Sequence, residues 1–187
     1  MEDSVTDRPK ILVVDDDPGW LEELDSLLGE AGYVVETAPS FEVAGAKLLT
    51  ATYAAIIVDL ALSKDGVSQE FEGLGLLSGL QFLERVPRRQ GKAIVLSAYG
   101  SIEHIRQAFK RGAHDFMEKQ HFDESRFLDT VREAVDWWKS SRILAPQREL
   151  TPAEMKEYKR ITRQFLRGQS IHLDVPDDAV NPWAKQS

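Results

Sequence analysis

Three adjacent carboxylates, Asp15, Asp16 and Asp17, follow directly on the apolar run Ile11-Leu12-Val13-Val14. Asp59 follows a second such run, Ala54-Ala55-Ile56-Ile57-Val58, and Ser97 follows a third, Ala93-Ile94-Val95-Leu96. Lys119 comes just after Asp115-Phe116-Met117. If these runs are strands of one sheet, the polar groups gather at its carboxyl edge. Carboxylates crowded into one cleft repel each other and call for a cation, and hard oxygen ligands favour Mg2+, which takes few protein carboxylates and keeps waters. An aspartate is able to attack a phosphoryl group. The group in transfer needs its spread negative charge neutralised and its geometry fixed. A metal, the point charge of a lysine and a hydroxyl that turns to donate do this. Each residue alone has a plainer reading: Asp17 as a helix cap, Asp59 as a turn residue, Lys119 as a solvated lysine. It is their joint occurrence, in order and each at a strand end, that points to phosphoryl chemistry.

The elements that would position them are legible as an alternation. Five short runs rich in Val, Ile and Phe stand out, the four above, of which Asp115-Phe116-Met117 is the weakest, plus Tyr33-Val34-Val35; most are nearly continuous rather than alternating, which suits strands covered on both faces of a parallel sheet. Helical patterns lie between them. Asp17-Pro18 is a cap and first-turn pair before Leu21, Leu24, Leu27 and Leu28, and Gly32 ends that helix. Ser40 caps a second helix with Val43, Ala46 and Leu48-Leu49. Leu80, Phe82-Leu83 and Val86 mark a third, stopped before Pro87. Ile102, Ile105 and Phe109 mark a fourth, ending near Gly112. Asp123 caps a fifth with Phe127, Val131, Val135 and Trp138. Strand and helix alternating five times predict an open α/β sheet with right-handed crossovers, and functional groups in such sheets sit beyond the carboxyl ends of the strands.

The chain has 187 residues, with 42% hydrophobic and 29% charged residues, ordinary for a soluble globular protein with one sizeable core and an appendage. Its net charge of −8 argues against a chain that coats nucleic acid. There is no cysteine, hence no disulfide framework or thiolate metal site, which fits a reducing cytoplasm. No apolar run approaches membrane-spanning length, and the polar residues 1–10 do not look like a signal peptide.

At this point Ile11 to about Val135 resembles a response regulator receiver domain. The resemblance implies a flavodoxin-like (βα)5 three-layer sandwich with sheet order 2-1-3-4-5. It implies that Asp15 and Asp16 bind Mg2+ together with Asp59 and the backbone carbonyl of Ala61, and that Asp59 is the phosphoacceptor. It implies that Ser97, followed by the small Ala98, is the switch hydroxyl, that Lys119 contacts the phosphoryl group, and that Phe116 is the aromatic rotamer switch. Partners implied are a histidine kinase or phosphotransfer protein and a downstream protein that reads either the face of the fourth helix, fifth strand and fifth helix or the C-terminal extension; a homodimer is another output. The domain would modify itself and slowly lose the phosphate, without turning over a metabolite. Three departures stand out. Gln120 replaces the usual Pro after the lysine, where a non-proline cis bond would cost about 2.5–4 kcal/mol. Phe116 replaces the commoner tyrosine. The family loop after the phosphoacceptor is short and often contains Pro, and here it gains about ten residues, against a usual span of about two to six for such loops.

The expected organisation is a tail over 1–10, a receiver domain over 11–142 with an inserted loop at 63–77, and an extension over 143–187. The inserted loop, with Lys64, Asp65, Glu70, Phe71 and Glu72, is expected beside the site, either gating it or as a tolerated surface loop. In the extension, Thr151-Pro152-Ala153-Glu154 is a capping box, and Leu150, Met155, Tyr158, Ile161 and Phe165 form an apolar stripe, predicting a helix over about 152–167. Lys156, Lys159, Arg160, Arg163 and Arg167 make that helix basic. A DNA-binding regulator is therefore the alternative output, although the extension holds no helix-turn-helix pair. A pseudo-receiver scaffold that is never phosphorylated is a further alternative, against which the complete acid, hydroxyl and lysine set speaks.

Overall fold

The computed structural model describes residues 8–64, 67–69, 77, 90–98, 100–144 and 151–165. Five parallel strands form one sheet: β1 (Lys10–Val14), β2 (Val34–Ala38), β3 (Ala55–Val58), β6 (Lys92–Ser97) and β7 (Ala113–Glu118), in the order β2-β1-β3-β6-β7. This is the flavodoxin-like order expected from the sequence. After β3 comes an antiparallel hairpin of β4 (Leu62–Lys64) and β5 (Val67–Gln69), at the start of the longer loop; no alternation in the sequence announces it. The third helical pattern, Leu80 to Val86, lies outside the described residues, as do Pro176, Pro182 and Trp183 of the extension. The helices are α1 (Pro18–Glu30), α2 (Phe41–Thr50), α3 (Ile102–Lys110), α4 (Glu124–Leu144) and α5 (Pro152–Phe165).

Local chemistry sets the helix ends. The Asp17 carboxylate accepts from the Gly19 N–H at 2.8 Å with Pro18 at the first helical position, and Ser40 Oγ accepts from Val43 N–H at 3.3 Å. Asp123 accepts from Arg126 N–H at 2.9 Å. Gly32 and Gly112 take φ of 94° and 83° just after α1 and α3, a left-handed conformation that glycine adopts without a Cβ clash. The capping box of α5 is formed: Thr151 N–H donates to Glu154 at 2.8 Å and Glu154 N–H donates to Thr151 Oγ1 at 3.3 Å.

Alternation along the strands builds two cores. Leu12, Val14, Ile56, Val58, Val95 and Phe116 face α2 and α3; Ile11, Val13, Ala55, Ile57, Ile94, Leu96 and Met117 face α1 and α4. A register shift between Ala93 and Ile94 in the β6–β7 pairing sets which face each β7 side chain takes, because a one-residue slip would swap the faces. It leaves Phe116 opposite Val95 and Glu118 opposite Ser97, so Lys119 follows the carboxyl end of β7 next to β6. α4 runs through Leu144, past Arg142. Tyr158 of α5 is 1% exposed and joins the first core, its hydroxyl 3.9 Å from where a Cβ on Gly45 of α2 would stand; Ile161 is buried too.

Candidate functional site

The ladder hydrogen bonds continue one residue beyond the strands. Asp15 N–H donates to the Ala38 carbonyl at 3.2 Å and Asp59 N–H donates to the Val14 carbonyl at 2.9 Å, which sets the two carboxylates side by side at the carboxyl edge. Asp15 is 2% and Asp59 4% exposed, and Ser97, the last residue of β6, is fully buried. Ser97 Oγ donates to Asp59 Oδ1 at 2.9 Å, and the Ala61 N–H donates to the same oxygen at 3.0 Å. Lys119 Nζ lies 2.7 Å from Asp59 Oδ2 and 2.6 Å from Asp15 Oδ2. Asp15 Oδ1 accepts from Asp17 N–H at 3.0 Å. All the sequence-predicted acid, hydroxyl and lysine groups therefore meet in one space. Ala61 is there through its backbone, and Phe116 stands apart from them, in the core beneath β6 and β7.

Burial pushes the Asp15 carboxyl up to about 6; the Lys119 ammonium and the Asp17 N–H oppose this, and the Asp59 charge adds to it. Burial works against the Lys119 ammonium, but its hydrogen bonds and charge pairing with Asp15 and Asp59 outweigh that and hold its pKa above the usual lysine value. One carboxylate oxygen from each of Asp15, Asp16 and Asp59 lies within 4.8 Å of the others. Three hard oxygens at that spacing fit a small divalent cation that retains waters. Gln120, which replaces the family's proline, belongs to a 3₁₀ turn over Lys119–His121, and among the described residues no peptide bond is cis.

Sequence reasoning missed an aromatic neighbour. Lys119 Nζ lies 5.3 Å from the centroid of the Trp20 ring, Trp20 meets Phe122 edge-on at 5.3 Å, and Phe122 meets the buried Phe127 at 5.3 Å. Trp20 reads in the sequence as one more residue of an amphipathic helix; only its place in the first turn, beside the acidic triplet, hinted at the site. It missed Glu118 as well. Its carboxylate packs on Gly100, where a Cβ would stand 2.1 Å from Glu118 Oε1.

A family model described as "Response regulator receiver domain" matches residues 11–132. The chain is 28% identical to the response regulator protein TodT of Pseudomonas putida over 187 residues, which is 94% of this chain and 77% of TodT. It is 28% identical to the nitrogen assimilation regulatory protein NtrX of Azorhizobium caulinodans over 143 residues, 75% of this chain; it spans only 29% of NtrX. Among solved structures, the CheY-like receiver domain protein of Methanospirillum hungatei JF-1 superposes with a TM-score of 0.62 at 25% identity, covering 72% of this chain and 98% of that one.

Proposed function

We propose, from the premise that this chain belongs to the response regulator receiver domain family and is a response regulator of two-component signalling, that Asp59 is its phosphoacceptor. The observation that carries this is the pairing of both Asp59 oxygens: a serine hydroxyl at 2.9 Å on one and a lysine ammonium at 2.7 Å on the other, in a cleft that already holds two further carboxylates.

An Asp59 oxygen attacks the phosphorus of a phosphohistidine on a partner kinase or phosphotransfer protein. The phosphorus–nitrogen bond breaks as the phosphorus–oxygen bond forms, and the histidine nitrogen leaves with the bond's electron pair. Lys119 turns from the carboxylate to an equatorial oxygen, and Ser97 donates to another, so neither donor has to be recruited from water. Mg2+ held by Asp15, Asp16, Asp59 and the Ala61 carbonyl would supply further neutralisation of the phosphoryl charge. Ser97 moves toward the phosphoryl group and leaves space against Phe116, which lines a cleft with Ile105, Met117, Glu118 and Arg126 between α3, β7 and α4. Ile102 and Phe109 are exposed on α3, at 86% and 46%. They give this face apolar area for a downstream protein or a second copy of the chain. Water later hydrolyses the acyl phosphate, so the chain is a switch that modifies itself and converts no external metabolite. Cytoplasmic action suits this partner set; among the described residues no helix is long and apolar enough to cross a membrane.

Intact mass after incubation with Mg2+ and acetyl phosphate tests the reading. The native chain should gain one phosphate and Asp59→Asn none. A phosphate on the variant, or none on the native chain with either acetyl phosphate or a phosphorylated kinase, would overturn it.

A further inference from the structure

Lys119 is held from two sides. Asp15 and Asp59 take its ammonium at 2.6 and 2.7 Å, and the Trp20 indole stands 5.3 Å from it. A cation within about 6 Å of an indole centroid is attracted by the ring's negative face, and more strongly where water is kept out. Water is kept out here, since the Lys119 side chain is 8% exposed. The indole cannot drift freely. It sits on the first turn of α1, whose start is pinned by the Asp17 cap, and it makes a T-shaped contact with Phe122 at an interplanar angle of 83°. Phe122 in turn packs on Phe127, fully buried in the core between the sheet, α1 and α4. An aromatic series thus runs from that core to the lysine.

We infer that Trp20 is a positioning residue for phosphoryl transfer, its ring face holding Lys119 Nζ over Asp59 and shielding the lysine from water while the phosphoryl group arrives. This rests on Asp59 being the phosphoacceptor. When the lysine releases Asp59 to meet a phosphoryl oxygen it loses part of its anionic cage. The ring is then the neighbour that keeps the flexible four-carbon stem from swinging outward. Asp15 alone would leave the ammonium pinned to one side, away from the incoming group.

The test uses Trp20→Phe, which keeps a π face, and Trp20→Leu, which keeps apolar volume without one. Phosphorylation by acetyl phosphate at saturating Mg2+ is followed by intact mass, and the Lys119 ε-methylene protons are followed by NMR without a phosphodonor. Ring current should move those protons upfield in the native chain, less in Trp20→Phe and not in Trp20→Leu. The phosphorylation rate should fall about ten-fold in Trp20→Leu, in keeping with loss of a desolvated cation–π contact, and stay within about two-fold of native in Trp20→Phe. Unshifted lysine protons in the native chain, a native rate in Trp20→Leu, or equal losses in both variants would each overturn the inference. If the native chain takes no phosphate at all, the phosphoacceptor reading fails instead, and the proton shifts still decide whether the ring holds the lysine.

Discussion

At the carboxyl edge of the sheet, Asp15 and Asp59 share the single ammonium of Lys119 in a space with little water. Toward the amino edge, Gln90 and Glu36 are surrounded by the donors and acceptors they can use. The fully buried Gln90 side chain accepts from Tyr53 N–H at 2.9 Å and donates to the carbonyls of Leu48 and Ala51 at 3.0 and 2.9 Å. Glu36 accepts from Lys47, Lys10 and the Tyr53 hydroxyl. The two carboxylates shift in opposite directions. Burial drives Asp15 up to about 6, whereas the Lys47 hydrogen bond, with help from Tyr53 and Lys10, holds Glu36 below the usual range. Buried polar groups stabilise a fold when every lone pair and proton is matched, and cost free energy when like charges outnumber their partners. One end of this sheet is built for stability. The other keeps an electrostatic excess that a cation and a phosphoryl group can use.

The largest break in that contrast should come from Gln90→Leu. It strands a buried N–H and two carbonyls at the end of α2, at about 1–3 kcal/mol for each buried unsatisfied group. Urea unfolding should show a loss of about 4 kcal/mol, with the phosphorylation rate of the folded fraction near native. A loss under about 1 kcal/mol would mean water replaces the amide, and that the amino end is no better matched than the site. There is no slack in the backbone here: a Cβ on Gly91 would lie 1.9 Å from the Ala54 carbonyl oxygen.

The carboxyl end was far more legible in the sequence than the amino end, for a physical reason. Polar groups gathered at the carboxyl edge of a parallel sheet occupy the position just after each apolar run, so Asp15, Asp59, Ser97 and Lys119 are marked by their neighbours along the chain. Gln90 follows Arg88 and Arg89 and reads as part of a polar loop; its partners in α2 are about 40 residues away and no local pattern names them. β2 reads as Tyr33-Val34-Val35, yet runs from Val34 to Ala38, because on an edge strand Glu36 and Thr37 are affordable and blur the apolar run. Trp20 and Lys119 meet only in three dimensions. The helix of the extension was readable from its capping box and stripe, but not the place where Tyr158 lands on α2.

A smaller change of opposite sign is expected from Asp15→Asn. With a folded-state value near 6 against 3.8 for the free group, Asp15 binds its proton more tightly in the folded chain. Its contribution to stability is therefore full below about pH 3.8 and is lost as pH rises through about 6, a span worth about 3 kcal/mol at 1.36 kcal/mol per unit. Lys119, also raised, stays charged throughout that window and adds no slope. In Mg2+-free buffer the variant should be more stable than the native chain at pH 7, by at most about 3 kcal/mol, and indistinguishable from it at pH 4. If Mg2+ takes the proposed site, the variant should also lose stabilisation by added Mg2+, since a carboxylate ligates a metal in its deprotonated form. Destabilisation at pH 7 would mean that Asp15 is satisfied by Lys119 and the excess charge lies elsewhere.

The smallest effect, and the one that sharpens the contrast most, is expected from Glu36→Gln. Glu36 binds its proton less tightly in the folded chain, so its contribution is present above the ordinary glutamate value of 4.5 and fades as pH falls through its lowered folded value. Partly exposed ion pairs are worth about 0–1 kcal/mol, and the Tyr53 hydroxyl can still donate to the amide oxygen. The variant should therefore lose about 1 kcal/mol at pH 7, and the difference from the native chain should shrink as pH falls below 4.5, measured by urea unfolding across that range. The two isosteric acid-to-amide changes remove one negative charge each from a chain whose net charge is −8, so a general relief of self-repulsion would stabilise both variants alike. Opposite signs at pH 7 would mean that the local surroundings of each carboxylate decide the outcome. Equal signs would mean that the overall charge does, and the division of the sheet into a matched end and an electrostatically loaded end would fall.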